Sequence, residues 1–381
     1  VTAVGGSGDL SFEVDFLTDR EGRDELGTEA EASATFLRYS LDLKFDPQQV
    51  KIMREVLAPV PDGRQALLEF GSREWVDSVL VESSSNPFIT TTNAITDVTR
   101  LHREGSGQQE LGSQTSTMKR TMLSTRSQVG HHPTAFLARQ SLARVALFHF
   151  EPSSLRKPDS LQEGFAEVGA IDTTGKHLPS VLLRLTREDE AAPVRVTNTL
   201  ATLVAGIDSL IVKENEATQT VEIRLRDLQG REYPAGSLSD GTLRVLALAI
   251  LLHDSTAQGC LLLEEPENGV HPTQLPALLT LLRDIACDTE LAVEPGNPLR
   301  QVCFTTHSPG LVRLLKIEEV RFASRLDFNL GEVRFLPAGC DPESFSDHQL
   351  WSFLRNQPDG HSGTLGQRSE EFVQSLGLPI L

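Results

Sequence analysis

Residues Cys260–Pro272 read CLLLEEPENGVHP, and the fold turns on this stretch. Its apolar part, Cys260–Leu263, stands between Gly259 and the acidic pair Glu264–Glu265. A run this short, closed by charge, predicts a strand buried on both faces, as in a parallel sheet. A second buried strand is predicted at Gln301–Thr305, which leads into TTHSP and places Thr305, Thr306, His307 and Ser308 at its mouth. Between the two, Leu275, Leu278, Leu279 and Leu282 recur at helical spacing behind Pro272. Strand, helix and strand in that order predict a parallel α/β core. Ligands bind beyond the carboxyl ends of such strands, so neighbouring strands would turn the two acids and the histidine toward one cleft.

Working outward, Leu243, Leu246, Ala247, Ile250 and Leu251 follow the i, i+3, i+4, i+7, i+8 pattern. They predict a helix from just after Ser239, its N-cap, to about His253. Val221, Ile223 and Leu225 alternate as a strand, whereas the spacing from Val181 to about Ile211 is mostly helical. A strand is also expected at Val145–Phe150, followed by the polar loop EPSSLRKPDS. Near the beginning, Leu10, Phe12, Val14 and Phe16, then Tyr39, Leu41, Leu43 and Phe45, alternate with polar residues and predict half-buried antiparallel strands. Gly, Ser, Gln and Thr dominate from about Leu101 to His132, a flexible entry to a small helical lobe that continues through Ala135–Ala143. Short strands at Glu319–Ala323 and Gly331–Leu336 precede a polar tail from about Pro342. The chain thus divides into an N-terminal antiparallel lobe (1–100), a linker and helical lobe (101–144), a core (145–340) and a tail (341–381), with no internal repeat.

Length and composition set bounds on function. The chain has 381 residues, 39% of them hydrophobic, enough for one large or two modest globular domains. A net charge of −18 argues against a surface that binds nucleic acid mainly by neutralising phosphates, though a local basic groove would still admit it as a partner. The four cysteines, Cys260, Cys287, Cys303 and Cys340, lack the close spacing of a zinc or redox motif and read as small buried hydrophobes in a reducing cytoplasm. No apolar run approaches the ~20 residues that cross a bilayer, and the first residues lack the charged and apolar regions of a signal peptide. A soluble, cytoplasmic protein is expected.

Three motifs in order, SLSDGTLR (Ser237–Arg244), CLLLEEPENGVHP (Cys260–Pro272) and TTHSP (Thr305–Pro309), resemble those of ABC-type ATPases related to SMC and RecF proteins. Most similar are stand-alone bacterial AAA family ATPases whose signature is LSDGT instead of LSGGQ. The resemblance covers about Pro152 to Ala338 well and the earlier strands more loosely. It implies a P-loop NTPase-like parallel core with an antiparallel β-subdomain and a small helical lobe, and ATP and Mg²⁺ as ligands. Glu264 would be the Mg²⁺-side acid of the Walker B pair and Glu265 the general base, although many relatives carry Asp at the first position. Phosphoryl transfer needs positioning, charge stabilisation and one group to orient the water, which these residue types can supply. His307 would contact the γ-phosphate, and His271 would lie in the loop that crosses the dimer interface, in a structural role. Ser239, Asp240, Gly241 and Thr242 would present helix N-terminal N–H groups to the nucleotide of a second subunit, so a homodimer through ATP is implied. Gln128 would sense Mg²⁺ or water from the Q-loop region. Arg156 and Arg244 are candidates for phosphate or partner contacts, Arg244 more so than Arg231 in its strand-turn setting.

The phosphate-cradling G-x-x-x-x-G-K-[ST] does not occur in the chain. AIDTTGKHL (Ala170–Leu178) lacks its first glycine and carries His177 where the Mg²⁺-binding hydroxyl belongs. Because the first methionine is Met53, an N-terminal segment bearing the loop is expected to precede Val1, and the 381 residues alone would lack the main nucleotide grip. Two further functions remain open: an ABC-like scaffold without turnover, and the ATPase partner of a separate nuclease in a defence system. The residues after Ala338 are too few for a fused TOPRIM nuclease domain and carry no D-x-D metal pair.

Overall fold

Alternation at the N-terminus fixes the first strand register. In the computed structural model Leu10, Phe12, Val14 and Phe16 lie opposite Leu43, Leu41, Tyr39 and Leu37, so the apolar sets share one face of an antiparallel pair. The structure describes residues 2–3, 9–46, 49–92, 98–104, 111–125, 128–161, 171–316, 319–327 and 332–337. Two compact units are present, one of Val1–Val145 with Asp288–Leu299, the other of Ala146–Cys287 with Arg300–Leu381.

The first unit contains β1 (Thr2–Ala3), β2 (Asp9–Leu17), β3 (Glu21–Arg23), β4 (Glu29–Glu31), β5 (Phe36–Asp46), β6 (Gln49–Pro59), α1 (Gly63–Leu67) and α2 (Arg73–Val79). It continues with β7 (Ile89–Thr92), β8 (Val98–Leu101), β9 (Leu111–Gln114) and α3 (Pro133–Ala143). Its main sheet runs β1-β2-β5-β6-β7-β8-β9, antiparallel throughout, and β3 pairs with β4 apart from it. Leu37, Leu57, Ile89 and Leu101 from the sheet pack with Ala135 and Ala138 of α3. Residues 101–144 therefore share a unit with 1–100: β9 extends the sheet, and α3 is their one α-helix among the described residues. Composition hid β9 because Gly112, Ser113 and Gln114 are poor strand formers, held here by pairing to Val98–Leu101.

The second unit contains β10 (Ala146–Phe148), α4 (Pro152–Leu155), β11 (Asp159–Ser160), α5 (Leu178–Glu188), α6 (Ala192–Ala201), β12 (Ile207–Asn215), β13 (Thr220–Asp227) and β14 (Glu232–Pro234). There follow α7 (Asp240–His253), β15 (Gly259–Glu264), α8 (Leu275–Ile285), β16 (Arg300–Thr305), α9 (Pro309–Val312), β17 (Arg321–Asp327) and β18 (Glu332–Pro337). Strands β10, β15 and β16 form a parallel sheet in that order, with Leu263 opposite Phe148 on one side and Phe304 on the other. An antiparallel sheet, β11-β13-β12 with β14 on β13, lies in the same unit, as does the hairpin of β17 and β18. Helix α7 is buried on every side, from Leu243 through Leu251, with only Arg244 half-exposed. Its C-terminal end is held by Arg300 at the start of β16, whose buried guanidinium donates to the carbonyls of Leu251, Leu252, Asp254 and Ala257.

Three sequence expectations change. The helical reading of Val181–Ile211 runs too far: α6 ends at Ala201, Gly206 turns the chain at φ +84°, and β12 then pairs with β13. The parallel strands are buried on one face only, since Leu261 and Leu263 join the core while Gln301, Cys303 and Thr305 are exposed. Cys303 is accordingly no buried hydrophobe, and it hydrogen-bonds with Cys260 on the neighbouring strand. The polar tail, with Cys340, lies outside the described residues.

Candidate functional site

The parallel register brings the strand mouths together. Glu264 lies opposite Thr305, and the Glu265 N–H donates to the Thr305 carbonyl at 3.1 Å. Just past the end of β15, Glu265 turns the chain with φ +43°, a left-handed conformation that costs a non-glycine residue ~1–2 kcal/mol. Its carbonyl accepts the Asn268 N–H at 3.0 Å, closing the turn. Backbone strain of this kind is retained where the surrounding structure imposes it, commonly at functional sites. His307 Nε2 lies 3.6 Å from Glu265 Oε1, beyond a good hydrogen bond but within ion-pair reach when the ring is protonated. The His307 side chain is 89% exposed, so it is free to meet a ligand.

The loops behind these residues are locked to each other. Thr306 Oγ1 donates to Glu267 Oε1 and accepts the Ser308 N–H, while Ser308 caps α9 by accepting the Leu311 N–H. His271 caps the turn before α8, its ring accepting the Thr273 N–H at 3.3 Å. Glu267 was not singled out from sequence, and nothing in its spacing marks it.

A small cavity of about 90 Å³ opens at the mouths of β10 and β15, lined by His149, Arg244, Glu264, Glu265 and Asn268 over a floor of Phe148, Phe150 and Leu263. His149 follows β10 as Glu264 ends β15, and its Nδ1 lies 3.0 Å from Glu264 Oε2. Sequence reasoning missed His149, because the strand expected at Val145–Phe150 enclosed it, whereas the observed strand ends at Phe148.

The signature segment packs on the same loop. Ser239 caps α7, its Oγ accepting the Thr242 N–H at 3.1 Å, and Asp240 occupies the first turn. A carboxylate there would repel a phosphate, but Arg156 pairs with Asp240 at 2.7 Å and also donates to the Leu238 carbonyl at 2.8 Å. Arg156 therefore braces the signature from within its own chain. Arg244 is likewise engaged internally, with the carbonyls of Phe150 at 3.3 Å and Asn268 at 2.7 Å. Arg231 pairs with Asp227 at 2.8 Å in the turn before β14. Gln128 is exposed in a bend of the other unit.

Glu264 offers a half-exposed carboxylate at the cavity, a hard oxygen donor fit for Mg²⁺, and Ser239 and Thr242 stand at the open end of a helix. Among the described residues no helix is long and apolar enough to cross a membrane.

Residues 129–313 match the family described as "AAA domain, putative AbiEii toxin, Type IV TA system". No curated protein matches the chain. Among solved structures, one from work on ATP-driven dimerization and DNA-stimulated activation of SMC ATPases is 13% identical with a TM-score of 0.31, covering 46% of this chain and 98% of that one. The Smc head bound to the C-terminal winged-helix domain of ScpA is also 13% identical, with a TM-score of 0.37 and coverage of 72% and 83%. The Smc head domain with a coiled coil and joint from Pyrococcus yayanosii scores 0.29 at 13% identity, covering 45% and 29%. The stretch similar to that AAA domain thus spans the signature segment, the strand-end acids and His307, which lie at the ends of regular elements of the second unit.

Proposed function

We propose that this domain hydrolyses ATP between two copies of the chain, closing on nucleotide and reopening after hydrolysis to drive a change in an associated effector. The observation that carries the reading is the meeting of Glu265 and His307, 3.6 Å apart at adjacent strand ends. In this reading Glu265 takes a proton from the attacking water as its oxygen bonds to the γ-phosphorus, and ADP leaves from the opposite side. His307 donates a hydrogen bond to the γ-phosphate, and Glu264 would hold the metal. Mg²⁺, when bound, would neutralise the β- and γ-phosphate charge. Ser239, Asp240, Gly241 and Thr242 serve the second copy's nucleotide, and the phosphates require a G-x-x-x-x-G-K-[ST] loop that these 381 residues do not contain. A cytoplasmic location agrees with this chemistry.

The test is steady-state hydrolysis by a protein that includes such a loop. Glu265→Gln should keep ATP binding and slow turnover ~10²–10⁴-fold, the effect of losing a positioned base. Unchanged turnover would remove Glu265 from that role, and an absence of turnover in the unsubstituted protein would favour the scaffold reading.

A further inference from the structure

His149 Nδ1 and Glu264 Oε2 stand 3.0 Å apart, and both side chains are more than half exposed, at 56% and 51%. Two donors at right angles around one ion, each about 2.1 Å from it, lie about 3.0 Å apart. The two side chains are hydrogen-bonded at this distance, and with the ring proton on Nε2 instead the same separation suits two adjacent ligands of one cation, at the mouth of a cavity that also holds Glu265 and Asn268. The main chain at His149 is fixed from behind, because its N–H donates to the Thr173 carbonyl at 2.8 Å and the Glu151 N–H donates to Thr174 at 3.1 Å. Imidazole can bind a cation through Nδ1 as the neutral ring with its proton on Nε2. Among the described residues no group of three or more His, Cys, Asp or Glu could hold a metal ion, so water or phosphate must fill the remaining positions.

We infer that His149 and Glu264 together form one side of a divalent-cation site that favours Mn²⁺ over Mg²⁺, the inference resting on the reading of Glu264 as the metal-side acid. Mg²⁺ prefers oxygen donors and holds its water, whereas imidazole nitrogen suits first-row transition ions. A nitrogen beside the acid shifts the site toward Mn²⁺ as the metal that would accompany nucleotide.

The experiment uses the full chain and Mn²⁺ alone, with binding followed by the free-ion electron paramagnetic resonance signal and ligation by electron spin-echo modulation from ¹⁴N. The expected result is one ion per chain, lost in Glu264→Gln, with ¹⁴N modulation that disappears in His149→Ala. The Mn²⁺-to-Mg²⁺ affinity ratio should fall about tenfold in His149→Ala and in His149→Asp, which restores an all-oxygen site. Loss of affinity alone would not distinguish ligation from orientation of Glu264, since outer partners also change metal affinity ~10–100-fold. The nitrogen modulation does distinguish them. Mn²⁺ bound through Glu264 without ¹⁴N modulation would overturn the ligand role of His149 and leave the ATPase reading intact. Mn²⁺ binding that is absent, or indifferent to Glu264→Gln, would overturn this site and the metal role of Glu264 together.

Discussion

A Cβ on Gly241 would fall 2.1 Å from the carbonyl oxygen of Gly269, and Gly269 itself sits at φ +82°. The glycine of the signature is thus required within its own chain, where the start of α7 touches the loop that follows Glu264 and Glu265. The approach at Gly241 is backbone to backbone. Gly241→Ala must push the two segments apart, at a cost of about 1–3 kcal/mol for overpacking, and should slow hydrolysis more than it weakens ATP binding. Urea denaturation and steady-state kinetics on the same variant check both parts, and a variant with unaltered stability would contradict the contact. Cys303 provides a second test at this scale. The hydrogen bond from the Cys260 thiol favours its thiolate and lowers its pKa from the usual 9.0 to about 7. Alkylation by iodoacetamide should therefore reach half its maximal rate near that pH, and Cys260→Ala should move the midpoint upward. A midpoint unmoved by Cys260→Ala would show that the neighbouring thiol has no such effect.

Strand β6 carries a buried carboxylate into the core of the first unit. Glu55 is fully buried and accepts the N–H groups of Met122 at 2.6 Å and Leu123 at 2.9 Å and the Tyr39 hydroxyl at 3.1 Å. Burial dominates these bonds and raises its pKa above the usual 4.5. A folded-state value above the unfolded one means that the native state binds the proton more tightly. Its contribution is therefore full below the unfolded pKa and is lost as pH rises through the folded value. Glu55→Gln should remove this slope and, because an amide NH₂ would face one of the two N–H donors, cost about 1–3 kcal/mol at low pH. Chemical denaturation of both proteins between pH 4 and 8 measures the difference, and parallel stability curves would contradict it. Elements of this kind show where sequence was readable. The alternation of Leu10–Phe16, the cap at Ser239 and the spacing of Leu243–Leu251 reported local periodicity, and β2, α7 and β15 lie where those patterns place them. The burial of Glu55 was not legible, and β9 read as polar linker, because their partners are 67 residues and one strand away respectively. Likewise, whether both faces of β15 are covered depends on which helices pack there, a tertiary fact that an apolar run cannot report.

At the scale of the whole molecule, the motifs were legible as a set because each lies at the end of a regular element, and register alone brings Glu264 opposite Thr305. His149 and Glu267 were not singled out and the bracing contact of Arg156 was not foreseen, since their partners lie 115, 39 and 84 residues away. In the proposed mechanism one copy of the chain offers an incomplete ATP site. Helix α7 can direct N–H groups at a phosphate, but in the proposed sandwich that phosphate belongs to the nucleotide of the second copy, and two-fold symmetry then completes two sites at once. Ligand that forms part of an interface must strengthen it. Sedimentation velocity of the Glu265→Gln variant, in a protein that includes a phosphate-binding loop, measures this without the complication of turnover. A shift from monomer to dimer on addition of saturating Mg·ATP, reversed with ADP, is the predicted result, and a protein that stays monomeric at saturating Mg·ATP would contradict the claim.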